Sequence, residues 1–359
     1  MSTALDPGTG APVQPQRPAR GHRRLPRPAP PALYATGAAV GVALSALTGF
    51  GIASAVVYAV VLGTLALYLV SRIVEGPRKA TDRLVTCLVT TAFGIAMVPL
   101  VSLVWTVLDN GLPRFDSQFF TNSMFRVVGE GGGAYHAILG TLIITALATV
   151  ISVPIGLMTA IYLVEYASGR LKKSITFFVD VMTGIPSIVA GLFSFALFTL
   201  LFGGGIRLGV MGAVALSVLM IPVVVRACEE VLKLVPNELR EASYALGVPK
   251  WRTVVKVVLP TAIAGLGTGV TLAVARVVGE TAPLLVTVGL ITGTNLNPFD
   301  GRMATLPVFA YYQLTQPGTA TQAFLDRAWT AALVLIILVM ALNVVARLIS
   351  RFFAPKTGR

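Results

Sequence analysis

Apolar residues occur in this chain as long uninterrupted runs, and those runs organise it. Eight stretches, at about 32–51, 53–72, 84–108, 137–164, 174–202, 209–226, 260–288 and 329–350, are almost free of charged side chains. A helix of about 20 such residues crosses the hydrocarbon core of a bilayer. No water is available there to bond the backbone, so each run is expected to be a transmembrane helix. Several runs are longer than a span requires, which predicts tilt, or breaks at their Gly and Pro positions. Only Gly49, Phe50 and Gly51 separate the second run from the first. The expected fold class is an all-α integral membrane protein.

The runs and the polar stretches between them set the expected domains. Residues 1–31, rich in Pro, Arg, Ala and Gly without apolar periodicity, read as a disordered basic cytoplasmic tail. Residues 32–83 hold two N-terminal transmembrane helices, and 84–350 hold the main membrane domain, with a polar loop at 226–260. Residues 351–359 read as a second cytoplasmic tail. The first apolar run starts late and is long enough to span, which argues against a cleavable signal peptide. Gly37 and Gly41, four residues apart, present small residues that would let a second helix approach closely.

Composition agrees with this picture. The chain is 55% hydrophobic and 12% charged, with a mean hydropathy of +0.81, whereas soluble domains are roughly a quarter charged. The net charge of +13 raises the question of nucleic acid, but the distribution answers it. With the N-terminus in the cytoplasm, 22 of the 28 Lys and Arg residues fall in the tails and turns on that side. Arg114, Arg126, Arg207, Arg302 and Arg327 fall on the other side, and the remaining one, Arg276, lies inside the run 260–288. That bias is the positive-inside rule, and it places both termini in the cytoplasm. Membrane lipid is therefore the expected surroundings and nucleic acid is not expected. Cys87 and Cys228 are the only cysteines, and a disulfide between a membrane span and a cytoplasmic loop is not expected. His22 and His136 are isolated, so no metal site is expected. The chain has no Gly-Lys dipeptide and hence no Walker A phosphate loop, no HExxH and no GxSxG. No catalytic residue is assigned.

Two places carry chemistry. Arg276 and Glu280 stand four residues apart inside the run 260–288, where a charge costs about 2.5–3.5 kcal/mol on insertion scales. On one helical face they would stand about a turn apart. They could form a mutual salt bridge, or an anion site in which the Arg fork takes two oxygens. The carboxylate would repel a bare anion yet accept a hydrogen bond from a protonated one. Phosphate carries such a proton at neutral pH and sulfate does not. In the fifth run, Gly184, Pro186 and Ser187 either kink a helix or break it, and a break frees N–H groups that attract anions. Asp180 would lie near the cytoplasmic interface, paired with a loop cation.

The second place is the charged stretch Glu229–Lys256, too polar to lie within the bilayer. Residues 238–246 are helical in propensity, Gly247 is expected as their C-cap, and Pro249 would open a second short helix leading to Pro260 at the membrane. The result is a compact knob with Glu241 at its start and Tyr244 and Leu246 available for a groove.

From Glu241-Ala242-Ser243-Tyr244 through Gly247 to Leu259-Pro260, this stretch resembles the EAA coupling loop of bacterial ABC importer permeases. GGAYHAILGT (132–141), GIPSIVAGLF (184–193), ARVVGETAPLL (275–285) and LPVFAYY (306–312) extend the likeness over about 130–350. Together they resemble the A-type (PstA-type) permease subunits of phosphate-specific ABC importers, within the type I ABC importer permease family. The resemblance implies a core of six transmembrane helices, matching 84–350, plus two extra N-terminal helices. It implies a substrate path through Arg276, Glu280, Thr281 and Ser187. It also implies a coupling surface of Glu241, Ala242, Ser243, Tyr244, Gly247, Leu259 and Pro260, with Ser243 standing where Ala is usual. The implied partners are a C-type sister permease, two copies of a cytoplasmic ATPase and an extracytoplasmic phosphate-binding protein. The chain itself would bind no cofactor, since ATP and Mg belong to the ATPase. The implied role is phosphate import across the bacterial cell membrane by alternating access. Another oxyanion such as sulfate or molybdate, or a membrane phosphate sensor or scaffold, are the competing readings. The outer stretches 109–136 and 289–328 suggest a docking or gating surface without singling out residues.

Overall fold

The structure, a computed structural model, describes residues 25–26, 28–49 and 51–353, with side chains at 346 and 349–353 excepted. Most of the tail expected over 1–31, and residues 354–359, lie outside the described residues. Among those described there is no strand. The first helices are α1 (Ala29–Thr48), α2 (Ile52–Val74), α3 (Pro77–Gly111) and the short α4 (Ser117–Thr121). Then come α5 (Tyr135–Ile161), which continues as a π turn over Tyr162–Tyr166, α6 (Gly169–Thr183), α7 (Ser187–Phe202) and α8 (Gly209–Lys233). Next are α9 (Asn237–Ala245), α10 (Lys250–Thr253), a π turn over Val254–Val258, α11 (Leu259–Val278) and α12 (Ala282–Thr287). The last two are α13 (Leu306–Thr315) and α14 (Thr321–Phe353). Among the described residues, seven helices are long and apolar enough to cross a membrane, or eight if α6 and α7 count as one broken span.

Two compact units divide the chain, one up to Leu103 and one from Val104 onward. In the first, α1 and α2 pack at backbone distance. A Cβ on Gly37 would sit 2.7 Å from the Gly63 nitrogen, and one on Gly41 would sit 2.7 Å from the Ala59 nitrogen. The small residues four apart thus do what their spacing predicts. Glu75, in the turn before α3, accepts from Arg83 Nε at 2.7 Å, Ser71 Oγ at 2.9 Å and the Leu25 amide at 2.9 Å.

The second unit is built around α8, whose residues Leu216, Met220, Val224 and Leu232 are buried against α5, α11 and α12. Three predicted boundaries change. The run at 260–288 is not one helix: α11 stops at Val278 and α12 begins at Ala282. Gly279 is the C-cap of α11, and Pro283 stands in the first turn of α12, where its missing N–H costs least. The run at 174–202 breaks at Gly184–Pro186, and its two halves meet at 104°. The polar loop is shorter than 226–260. Helix α8 runs on to Lys233, and helix is continuous from Lys250 to Val278. Pro260 therefore sits within that helix and does not mark its start. The π turn just before it widens the helix where the proline has no N–H to donate.

Candidate functional site

Arg276 stands in the last turn of α11, where the free carbonyl ends favour a cation. Glu280 follows the C-cap Gly279 and lies outside the helix. The two are therefore not partners along a helical face, and no hydrogen bond or ion pair joins their side chains. Ser187 opens α7, with Pro186 as its N-cap. The first α7 amides, at Ser187 and Ile188, have no backbone acceptor, as at any helix start. Pro283 of α12 packs on Gly191 of α7, where a Cβ would come within 2.6 Å of the Pro283 Cα.

These elements enclose a cavity of about 200 Å³ lined by Arg276, Glu280, Ser187, Thr183, Leu219 and Val223, among others. At about 30 Å³ per water, that volume admits a tetrahedral oxyanion with several waters. Leu219 and Val223 come from the middle of α8, so the cavity lies at half the height of the central helix. It combines a guanidinium, a carboxylate, a hydroxyl and a half-helix N-terminus. Thr281, assigned to the same path by its motif, lines a different and largely apolar cavity of about 470 Å³ with Leu285, Tyr311 and Trp329.

The knob after α8 is built from a helix stop and a hydroxyl bond. Gly247 has φ +74°, its amide donates to Tyr244 O at 2.9 Å, and the Val248 amide donates to Ser243 O at 3.2 Å. This is the Schellman stop, and a left-handed residue is its requirement. Ser243 is buried, and its hydroxyl lies 2.8 Å from that of Thr253 on α10. The replacement of the usual Ala is thus a bond as well as a change of size. Glu241, Ala242, Tyr244 and Leu246 are exposed, with Leu246 at 83%. Leu259 and Pro260 lie a turn beyond, in α11.

Sequence reasoning missed the pair that ties this knob to the bundle. Arg240 of α9 donates through Nε at 3.0 Å and Nη2 at 2.8 Å to Glu165, and to the carbonyls of Val235 and Leu232. Glu165 belongs to the π turn ending α5 and is buried. Beside it, Lys250 Nζ lies 5.0 Å above the Tyr166 ring. A Glu closing one apolar run, and an Arg in the later polar stretch on the same side of the membrane, were the signal available. Asp180 pairs with Arg226, which also bonds Glu229 at 2.7 Å. On the opposite side, Arg327 is fully buried and donates to Gln313 Oε1, Gly129 O and Gly131 O. Phe119, in the stretch suggested for docking, is also fully buried.

The fold is that of an ABC importer permease. Residues 152–359 match the family described as "Binding-protein-dependent transport system inner membrane component". A bacterial alginate ABC transporter, crystallised with an alginate pentasaccharide-bound periplasmic protein, has a chain that superposes with a TM-score of 0.54 at 13% identity. The match covers 80% of this chain and 100% of that one. Phosphate transport system permease protein PstA 1 of Mycobacterium tuberculosis is 49% identical over 285 residues, 79% of this chain and 91% of that one. The Pasteurella multocida PstA is 36% identical over 285 residues, 78% of this chain and 97% of that one. The chain belongs to the inner-membrane components of binding-protein-dependent transport systems and, within them, to the PstA permeases.

Proposed function

We propose that the chain is the membrane subunit of an ATP-driven importer that moves inorganic phosphate into the cytoplasm, with both termini cytoplasmic. The observation that carries this reading is the mid-height cavity shared by Arg276, Glu280 and Ser187, together with the phosphate permease names of the relatives. Arg276 would hold two phosphate oxygens in its fork. Glu280 would accept the hydrogen bond of the P–OH group and so disfavour sulfate. Ser187 and the free amides at the start of α7 would complete the shell. A separate ATPase, in two copies, would dock on the knob from Glu241 to Pro260. A sister permease would face this chain, and a phosphate-binding protein would deliver the ion from outside.

The test is ATP hydrolysis by the reconstituted complex, with the binding protein loaded with phosphate or with sulfate. Phosphate alone is expected to stimulate. Arg276→Gln is expected to reduce that stimulation about 10- to 100-fold, since a hydrogen bond to a charged group is worth roughly 1.5–3 kcal/mol. Stimulation by sulfate would keep the importer and overturn the phosphate assignment. Full phosphate transport in Arg276→Gln would remove the residue from the path.

A further inference from the structure

The five basic residues that the charge pattern sets on the outer side have different fates. Arg114 pairs with Asp116 and bonds Gly132 O. Arg327 is buried among carbonyls, and Arg126 lies over the Phe125 ring. Arg207 and Arg302 remain, and neither side chain has a hydrogen bond or ion pair among the described residues. They nevertheless converge. A Cβ on Gly289 would lie 3.0 Å from Arg207 Nη1 and 3.6 Å from Arg302 Cδ. Gly289 itself is left-handed at φ +70°, so both the space and the backbone there require glycine.

The loop that presents Arg302 is built to hold its shape. Asn295 Nδ2 donates to Asp300 O at 2.7 Å and to Arg302 O at 2.9 Å. The Asn297 amide donates to Asn295 Oδ1 at 2.8 Å, and the Val210 amide donates to Pro298 O at 2.8 Å. That last bond fastens the loop to the first turn of α8, whose N-terminus adds positive potential. Both arginines line one cavity of about 720 Å³. It lies at the end of α8 remote from the knob, about 36 Å along a 25-residue helix. Arg302 is exposed and Arg207 half-buried; with the N-terminus of α8 beside them and Asp300 as the acidic side chain in the same wall, they give that wall a positive potential.

We propose that Arg207 and Arg302 form a second site for a phosphate group, separate from the Arg276 cavity, on the outer end of the bundle. Two planar forks of N–H donors suit the several oxygens of phosphate better than a carboxylate. The phosphate group is that of the free ion, gathered before it reaches the central cavity, or that of a phospholipid headgroup at the membrane rim. The gathering role rests on the phosphate-import reading, whereas the binding itself does not.

The test uses the assembled complex, purified in a phosphate-free detergent without ATP. Retained radiolabelled orthophosphate and retained phospholipid are both measured, the latter by native mass spectrometry. In the Arg276→Gln background, where the central site is disabled, wild-type arginines at 207 and 302 are expected to hold one or the other. Arg207→Gln/Arg302→Gln is expected to lose it at least about tenfold, the factor that corresponds to 1.4 kcal/mol. Loss of orthophosphate identifies the free ion, and loss of phospholipid identifies the headgroup. Asp300→Asn, which removes the one carboxylate among the described residues of the wall and leaves the loop bonds to the Asp300 backbone, is expected to tighten binding. That gain cannot arise from misfolding. Unchanged orthophosphate and phospholipid in the double variant would overturn the proposal. So would a double variant that only requires more binding protein for half-maximal ATPase activity, because the pair would then be a protein contact. The import reading fails separately, if sulfate-loaded binding protein drives Arg276-dependent hydrolysis.

Discussion

Gly247 holds its turn because only a left-handed residue lets its own amide and that of Val248 close the Schellman bonds. Proline there would be locked near φ −65° and would lose the donor to Tyr244, at a cost of about 3 kcal/mol or more. Gly247→Pro is therefore expected to abolish copurification of the ATPase while far-ultraviolet circular dichroism of the membrane helices stays unchanged. Normal ATPase retention would count against the docking role of the knob. Ser243→Ala is expected to be milder. It removes the 2.8 Å bond to Thr253, worth about 1 kcal/mol, and leaves that hydroxyl a 3.5 Å contact with Pro249 O. Glu75 makes a prediction about acid. Hydrogen bonds from Arg83 hold its carboxyl down to about 2, against the usual 4.5, despite its burial. A depressed carboxyl stabilises fully above pH 4.5, and that stabilisation fades as pH falls towards 2. Thermal unfolding followed at α1 and α2 should become acid-sensitive in that window, and Glu75→Gln should flatten the dependence. An equal acid response in the variant would assign it to other groups. Among these residues, Gly247 was legible as a helix stop from its position alone. The Ser243–Thr253 bond was not, because it joins positions ten apart across a turn.

At the scale of elements, α9 and α5 are tied by the Arg240–Glu165 pair, 75 residues apart in sequence. Both side chains are largely buried, at 12% and 4% exposed. Arg240 also bonds the carbonyls at the end of α8 and just after it. A displacement of α9 therefore pulls on α5 and α8 together, and α8 carries Leu219 and Val223 to the central cavity. Glu165→Gln leaves a buried guanidinium without its counter-charge, which typically costs 3–5 kcal/mol. In the reconstituted complex it is expected to keep ATP hydrolysis while lowering the phosphate moved per ATP. An unchanged ratio would mean that force reaches the helices by another route. The broken span α6–α7 and the interrupted α11–α12 are the other elements that matter. The first was legible because Gly184 and Pro186 stand together within an apolar run. The second was read as one helix, because hydropathy counts Gly279 to Pro283 as part of a long apolar stretch and ignores Gly279 as a helix stop and Pro283 as a first-turn residue.

At the scale of the molecule, the second unit stacks three polar places along α8: the knob beyond Lys233, the cavity at Leu219 and Val223, and the arginine pair near Gly209. That order fits a substrate entering at one end and an energy source acting at the other. Phosphate-selective stimulation of hydrolysis, lost in Arg276→Gln, tests the arrangement as a whole. Sequence by itself determined the number of apolar segments, the all-α class, the polar knob and the residues around which a path could be drawn. These follow from local physics: a bilayer demands about 20 apolar residues per helix, Gly and Pro interrupt helices, and an intramembrane charge is expensive wherever it lies. Only the tertiary structure decided that Arg276 and Glu280 share a cavity with Ser187 without pairing, and that Thr281 faces a different one. It alone brought Glu165 to Arg240 and Arg207 beside Arg302. Such juxtapositions depend on how distant helices cross and where a chain turns back, and no run of neighbouring residues contains that information.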